Sequence, residues 1–438
     1  MIVPGNRLLF WMAMLLPFAA VAVLVPAFLL LSMAVMAGLV VVAAWDAWLG
    51  VGRIKHISVE VPDLVRFSKD REGSIPITIR VGTGVRQLRV GLPFPPEIRS
   101  PHEDLLIDLP DGAESSWTSW PCTPSVRGNF RFEECFLEMS SPLGFWGVRR
   151  AVPASLEMRV YPNLMHERKR LAALFLNRGH FGIHMQRRVG QGREFEKLRD
   201  YVPGDGFDQI HWKATAKRGR PVTKLYQVER TQELYVLIDY SRLSGRVSHG
   251  QTALERFITA ALVMALVAEQ QGDLFGLITF SDHVRSFVRA KNGKAHYDAC
   301  RDTLYTLQPQ RVTPDFEEIC SFVRLRLRKR ALLIFLTDLD DPVLVESLTK
   351  TIDLIGRQHL IGVCSLKAPS VAPLFQSEGV ASIDQIYQRL GGHVFWHQLR
   401  ELEKVLKRHG VSLLNLDGEK MMPQLVAHYL NIKQRQML

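Results

Sequence analysis

ELYVLIDYS, residues 233–241, decides the fold of this chain. An apolar run without alternation reads as a strand buried on both faces. It ends in an acidic, hydroxyl-bearing turn, Asp239-Tyr240-Ser241. The same pattern returns in LFGLITF (274–280), ALLIFLTD (331–338), LIGVCSL (360–366) and VSLLNL (411–416). Helical stretches separate these runs. Thr252 with Glu255 makes a capping box that opens a helix to Gln271, and further helices are expected around 295–307, from Thr313-Pro314, and from Pro342 to about Gly356. Two more are expected near 382–390 and 395–409, and a last one follows residue 416. Strands alternating with helices predict a mostly parallel, doubly wound α/β sheet covered on both faces. Sites in such sheets lie at the carboxyl ends of strands, where Asp239-Tyr240-Ser241 and Thr337-Asp338 fall.

Immediately upstream, residues 187–230 read RRVGQGREFEKLRDYVPGDGFDQIHWKATAKRGRPVTKLYQVER. Eleven Lys and Arg stand among six Asp and Glu there, so internal ion pairs are expected. Glu194, Arg199, Asp205 and Trp212 are expected to lock an irregular loop onto the sheet, with a turn at Pro203-Gly204. The competing reading is catalytic. Asp205, Asp208 and His211 are three apart and can share a helix face, as metal-assisted hydrolysis requires. Against it, the chain holds no GxSxG, no HExxH and no GxxxxGK, which disfavours a serine hydrolase, a zincin and a P-loop ATPase. The structural brace is preferred, and no catalytic residue is assigned.

Residues 57–161 carry short alternating runs: ISVEV (57–61), IPITIRV (75–81), LRVGL (88–92), FRFEECFLEM (130–139) and LEMRVYP (156–162). Period-two alternation predicts strands with one buried face, assembled as a β-sandwich of immunoglobulin-like size. From Leu8 to Trp45 no Asp, Glu, Lys, Arg or His occurs. One helix of that length would reach about 57 Å, nearly twice the roughly 30 Å hydrocarbon core, so a two-span hairpin broken near Pro26 is expected. Arg7 before the first span and Arg53 with Lys55 after the second place both ends, and with them the soluble part, on the cytoplasmic side of the inner membrane. The five cysteines form no close pair and are expected as buried small residues in a reducing compartment. The net charge of +11 suits an anionic bilayer surface or acidic proteins, and no groove-reading motif points to nucleic acid. The expected division is a membrane hairpin over 1–55, a β domain over 56–162, a connecting helix and charged segment over 163–232, and the α/β domain over 233–438.

Asp239, Ser241, Thr313 and Asp338 resemble the metal-ion-dependent adhesion site of von Willebrand factor A-type domains. The upstream segment is similar to the signature of the bacterial family numbered fifty-eight among domains of unknown function. Its matching positions are Gly192, Arg193, Glu194, Phe195, Arg199, Tyr201, Gly204, Asp205, Asp208, His211, Trp212, Ala216, Glu229 and Arg230. The resemblance implies an A-type fold, a possible Mg²⁺ (or Ca²⁺ or Mn²⁺) on those hard oxygens, protein binding, and a MoxR-type AAA+ ATPase as partner. It implies an adaptor or chaperone-like role in assembling or activating other complexes. The adhesion motif expects a second Ser two residues after Ser241. Leu243 stands there, with Ser244 one place late, so the site is degenerate.

Overall fold

A computed structural model describes residues 1–438 apart from 25–28, 82–84, 110–114, 166, 168, 170–188, 191–193, 203–205, 208–209, 228–231, 249, 340, 368–370, 372, 375–381, 419 and 436–438. The chain divides into two units, Met1–Asn163 and Leu164–Leu438.

The first unit opens with helices α1 (Asn6–Leu24) and α2 (Leu29–Lys55). Among the described residues, α2 is the one helix long and apolar enough to cross a membrane. The expected break near Pro26 lies outside the described residues. The strands form two sheets. One runs in the order Ile2–Pro4, Trp146–Tyr161, Gly128–Ser140, Gln87–Gly91, Leu105–Asp108, with Leu64–Ser68 also paired to Trp146–Tyr161. The other runs Ser58–Glu60, Gly73–Arg80, Ser115–Pro124, Ile98–Arg99. Alternation explains the core: Ile75, Ile77 and Ile79 are fully buried while Pro76 and Arg80 face out. They pack with Leu88, Trp120, Cys135 and Met158 from both sheets.

A turn over residues 141–145 ties this unit together. The charge-free run ends at Asp46, and α2 carries that carboxylate into a fully buried position. Its oxygens accept from Ser141 Oγ at 2.5 Å, Leu143 N at 2.9 Å and Phe145 N at 3.3 Å. Trp146 Nε1 donates to Ala43 O at 2.8 Å. The same turn holds the start of α1, since Gly5 N donates to Phe145 O at 2.7 Å and Arg7 to Leu143 O at 3.3 Å. Beside it, Ile2–Pro4 pairs antiparallel with Trp146–Val148.

In the second unit six strands form a mixed sheet: β1 (Glu233–Asp239), β2 (Leu274–Phe280), β3 (Val284–Lys291), β4 (Ala331–Leu336), β5 (Leu360–Leu366) and β6 (Ser412–Leu416). Their order is β3-β2-β1-β4-β5-β6, parallel except for the antiparallel edge strand β3, which was not expected from the sequence. Successive residues of a strand serve opposite faces. Leu234, Val236 and Ile238 pack with α4 (Ala253–Gln270), α5 (Lys294–Leu304) and α9 (Met421–Gln434). Tyr235 and Leu237 pack with α6 (Phe316–Arg326), α7 (Pro342–Gly356) and α8 (Ile383–Arg408). Thr252 caps α4 as its capping box predicts, accepting from Glu255 N at 3.3 Å. Two expectations are corrected. The helix after Pro314 starts at Phe316 and is capped by Asp315, whose carboxylate takes two backbone N–H groups, so Thr313 is not its cap. The pair Gly391-Gly392 does not split the later helix, which is continuous through α8; a glycine costs about 1 kcal/mol but keeps its N–H. All five cysteines are buried, and burial pushes their thiols up, to about 11 at Cys122, Cys135 and Cys320.

Candidate functional site

β1 is the switch point of the sheet, with β2 on one side and β4 on the other. Its carboxyl end is built by backbone bonds. Tyr240 N donates to Phe280 O at 3.0 Å, Gln310 N to Tyr240 O at 2.8 Å and Arg242 N to Val312 O at 3.0 Å. These pin the turn after β1 to the end of β2 and to the loop before α6. Asp239 and Ser241 are fully buried there. Asp239 Oδ1 accepts from Ser241 N at 2.8 Å, and Oδ2 accepts from Thr337 Oγ1 at 2.7 Å. Burial pushes the Asp239 carboxyl above its ordinary range, opposed by hydrogen bonding from Thr337 and from the backbone and hydroxyl of Ser241.

The remaining polar atoms divide unevenly. Ser241 Oγ and Tyr240 Oη are buried without a well-aligned hydrogen bond, and Ser241 Oγ lies against the Asp239 carboxylate. Ser244 Oγ is turned inward and donates to Ser241 O at 2.8 Å, while Leu243 packs against the core on the α6–α8 face. Asp338, next to the end of β4, is buried; Arg246 stands 3.1 Å from its Oδ2 and Ser365 Oγ donates to Oδ1 at 3.2 Å. At the end of β2, Ser281 Oγ donates to Asp282 at 2.7 Å, and that bond holds the Asp282 carboxyl below its ordinary range.

The structure therefore joins Asp239 and Ser241 directly and brings in Thr337, which sequence reading placed only in a strand-end dipeptide. Arg246 carried no sequence signal. Thr313 sits exposed on the loop before α6. As a set, these residues do not fit an adhesion-type divalent ion. The second hydroxyl is turned away, Thr313 is at the surface, and a guanidinium already neutralises Asp338. Among the described residues no group of three or more His, Cys, Asp or Glu gathers to hold a metal.

The charged segment upstream is not an irregular loop. It forms a small antiparallel sheet, Val189–Gly190, Val222–Gln227, Glu194–Asp200, closed by Tyr201 N donating to Pro221 O at 3.0 Å. A short helix, α3 (Trp212–Arg218), follows, and Arg220 pairs with Asp200 at 3.2 Å. Trp212 is 67% exposed, so it does not lock the segment down. His211 precedes α3 as its cap, with Nδ1 accepting from Ala214 N at 3.0 Å. That bond commits Nδ1 of His211 to the start of α3. Asp205, Asp208, Gly192, Arg193, Gly204, Glu229 and Arg230 lie outside the described residues.

No curated protein matches the chain. Among solved structures, the SpRpn10 VWA domain is 12% identical with a TM-score of 0.27, covering 46% of this chain and 94% of that one. An aerotolerance-related membrane protein from Bacteroides fragilis is 12% identical with a TM-score of 0.30, covering 46% and 99%. The conserved hypothetical protein BatB from Bacteroides thetaiotaomicron is 11% identical with a TM-score of 0.28, covering 46% and 99%. Residues 197–371, from the small antiparallel sheet past the end of β5, match the family described as protein of unknown function DUF58.

Proposed function

We propose that this chain is a membrane-anchored adaptor whose α/β unit binds partner proteins at the carboxyl edge of its sheet. In this reading it works beside a MoxR-type AAA+ ATPase in assembling or activating other complexes. The observation that carries it is the edge itself: the switch point of a doubly wound sheet, closed by a turn that buries two hydroxyls without well-aligned hydrogen bonds. Buried unpaired hydroxyls cost about 1–3 kcal/mol each, so they persist where something outside the fold makes use of them. Nucleotide hydrolysis belongs to another chain in this proposal, in keeping with the missing phosphate loop.

The anchor is a two-span hairpin with both ends on the cytoplasmic side. Its support is the turn over 141–145, which holds the beginning of α1 and the latter part of α2 together. From Leu29 to Asp46 α2 rises about 25 Å, close to the hydrocarbon thickness. Trp45 and Trp48 are 63% and 71% exposed around Asp46, where an aromatic belt meets the headgroups. The immunoglobulin-like β domain is then the platform at the membrane surface.

Affinity capture of the full-length chain from membranes, in the presence of a non-hydrolysable ATP analogue, should recover an AAA+ ATPase. Asp239→Asn should weaken that recovery. Capture without any AAA+ protein, unchanged by the substitution, would reject the reading. The hydrolase alternative through Asp205, Asp208 and His211 is not favoured, because His211 is committed to capping α3.

A further inference from the structure

We propose that the guanidinium of Arg246 takes, at Asp338, the place that a divalent ion holds in an adhesion-type site, so that the carboxyl edge carries its own cation and works without metal. Three observations converge. Asp338 is 2% exposed, and a carboxylate so buried requires a compensating positive charge. Arg246 supplies it at 3.1 Å while 46% of its side chain stays open to solvent, so its charge sits where a partner can reach it.

The local backbone explains how the arginine gets there. After Ser241 the chain makes a short 3₁₀ turn, Arg242–Gly245, held by Ser244 N and Ser244 Oγ on Ser241 O and by Arg246 N on Leu243 O. That turn swings residue 246 back towards the end of β4. The same turn packs Leu243 against the core where an ion-binding relative would place a hydroxyl. Loss of an oxygen ligand and gain of a fixed cation therefore occur within six residues. A guanidinium is permanently charged and cannot be chelated or exchanged, so such a site is constitutive.

The inference rests on the carboxyl edge being the docking face. Its test involves no partner, so failure here and failure of the capture experiment are separate results. The full chain in detergent would be titrated with Mn²⁺, followed by thermal unfolding and by the electron paramagnetic resonance of free Mn²⁺. The unaltered protein should neither deplete free Mn²⁺ nor shift in melting temperature, with or without EDTA. Arg246→Met should melt about 2–4 °C lower and recover part of that loss in Mn²⁺, with matching depletion of the free ion. Arg246→Lys, which keeps the charge, should behave as the unaltered protein. Should Arg246→Met not fold, the double change Arg246→Met with Asp338→Asn removes the unpaired charge; it should fold and ignore Mn²⁺. Mn²⁺ binding by the unaltered protein overturns the proposal. So does an Arg246→Met protein that melts normally, or that melts low without responding to the ion.

Discussion

Two buried aspartates organise this molecule, and they are treated differently. Asp46 in α2 is surrounded by donors: a hydroxyl and two backbone N–H groups, all from the turn over 141–145. Asp239 at the end of β1 has two well-aligned donors, and next to it Ser241 and Tyr240 keep buried hydroxyls without well-aligned hydrogen bonds. The first arrangement spends every polar atom on holding helix to sheet. The second leaves polar atoms over at the place where a doubly wound sheet presents its site. Saturation accompanies architecture here, and in the proposed reading the surplus marks a docking surface.

Substitutions can break that contrast. Asp46→Ala strands three buried donors at once and should cost about 3 kcal/mol or more, read as a lower melting temperature of the first unit and faster proteolysis beside α2. Ser141→Ala comes next. Its hydroxyl donates to Asp46 and accepts from Trp146 N at 2.9 Å, so its removal should cost about 2 kcal/mol by the same assay.

Asp239→Asn sharpens the comparison through pH. The folded carboxyl lies above its unfolded value, so its stabilising contribution is complete below the ordinary carboxylate pKa of about 3.9 and is lost as pH rises through the raised folded pKa. As pH falls from that raised pKa to about 3.9 the unaltered protein should gain stability, and the Asn variant should lack that part of the slope. Melting temperatures of both proteins across a pH series would show it. An identical slope would mean that Asp239 is ionised in the fold at no cost. Smallest of all is Ser241→Ala, which removes a buried hydroxyl without a well-aligned hydrogen bond and should raise stability by about 1 kcal/mol. A loss as large as that of Ser141→Ala would erase the distinction between the two regions.

Much of this was legible in the residues. Continuous apolar runs gave the parallel strands, Thr252 with Glu255 gave the start of α4, and Pro342 gave the start of α7. Asp239 and Thr337-Asp338 at strand ends gave the edge. What stayed hidden depends on distance along the chain. Asp46 marked the end of a charge-free run, but its burial depends on a turn nearly a hundred residues on. Arg246 is one arginine among many, distinguished only by where a 3₁₀ turn aims it. His211 follows a charged segment and resembles a catalytic residue, until the backbone shows it capping three residues ahead. Strand β3, VRSFVRAK, is half polar because it lies at the sheet edge, and so lacks the signature of its neighbours.

The strand Ile2–Pro4 pairs Ile2 with Val148, 146 positions further on. During synthesis both helices are complete long before that partner exists. In the proposed two-span anchor, membrane entry therefore precedes closure of the sheet, and closure then locks helices that are already in place. Soluble fragments that begin after Lys55 lose this strand and leave Trp146–Val148 with a free edge, open to strand addition from any neighbouring chain. Aggregation of such fragments would report the missing strand rather than an unstable β unit.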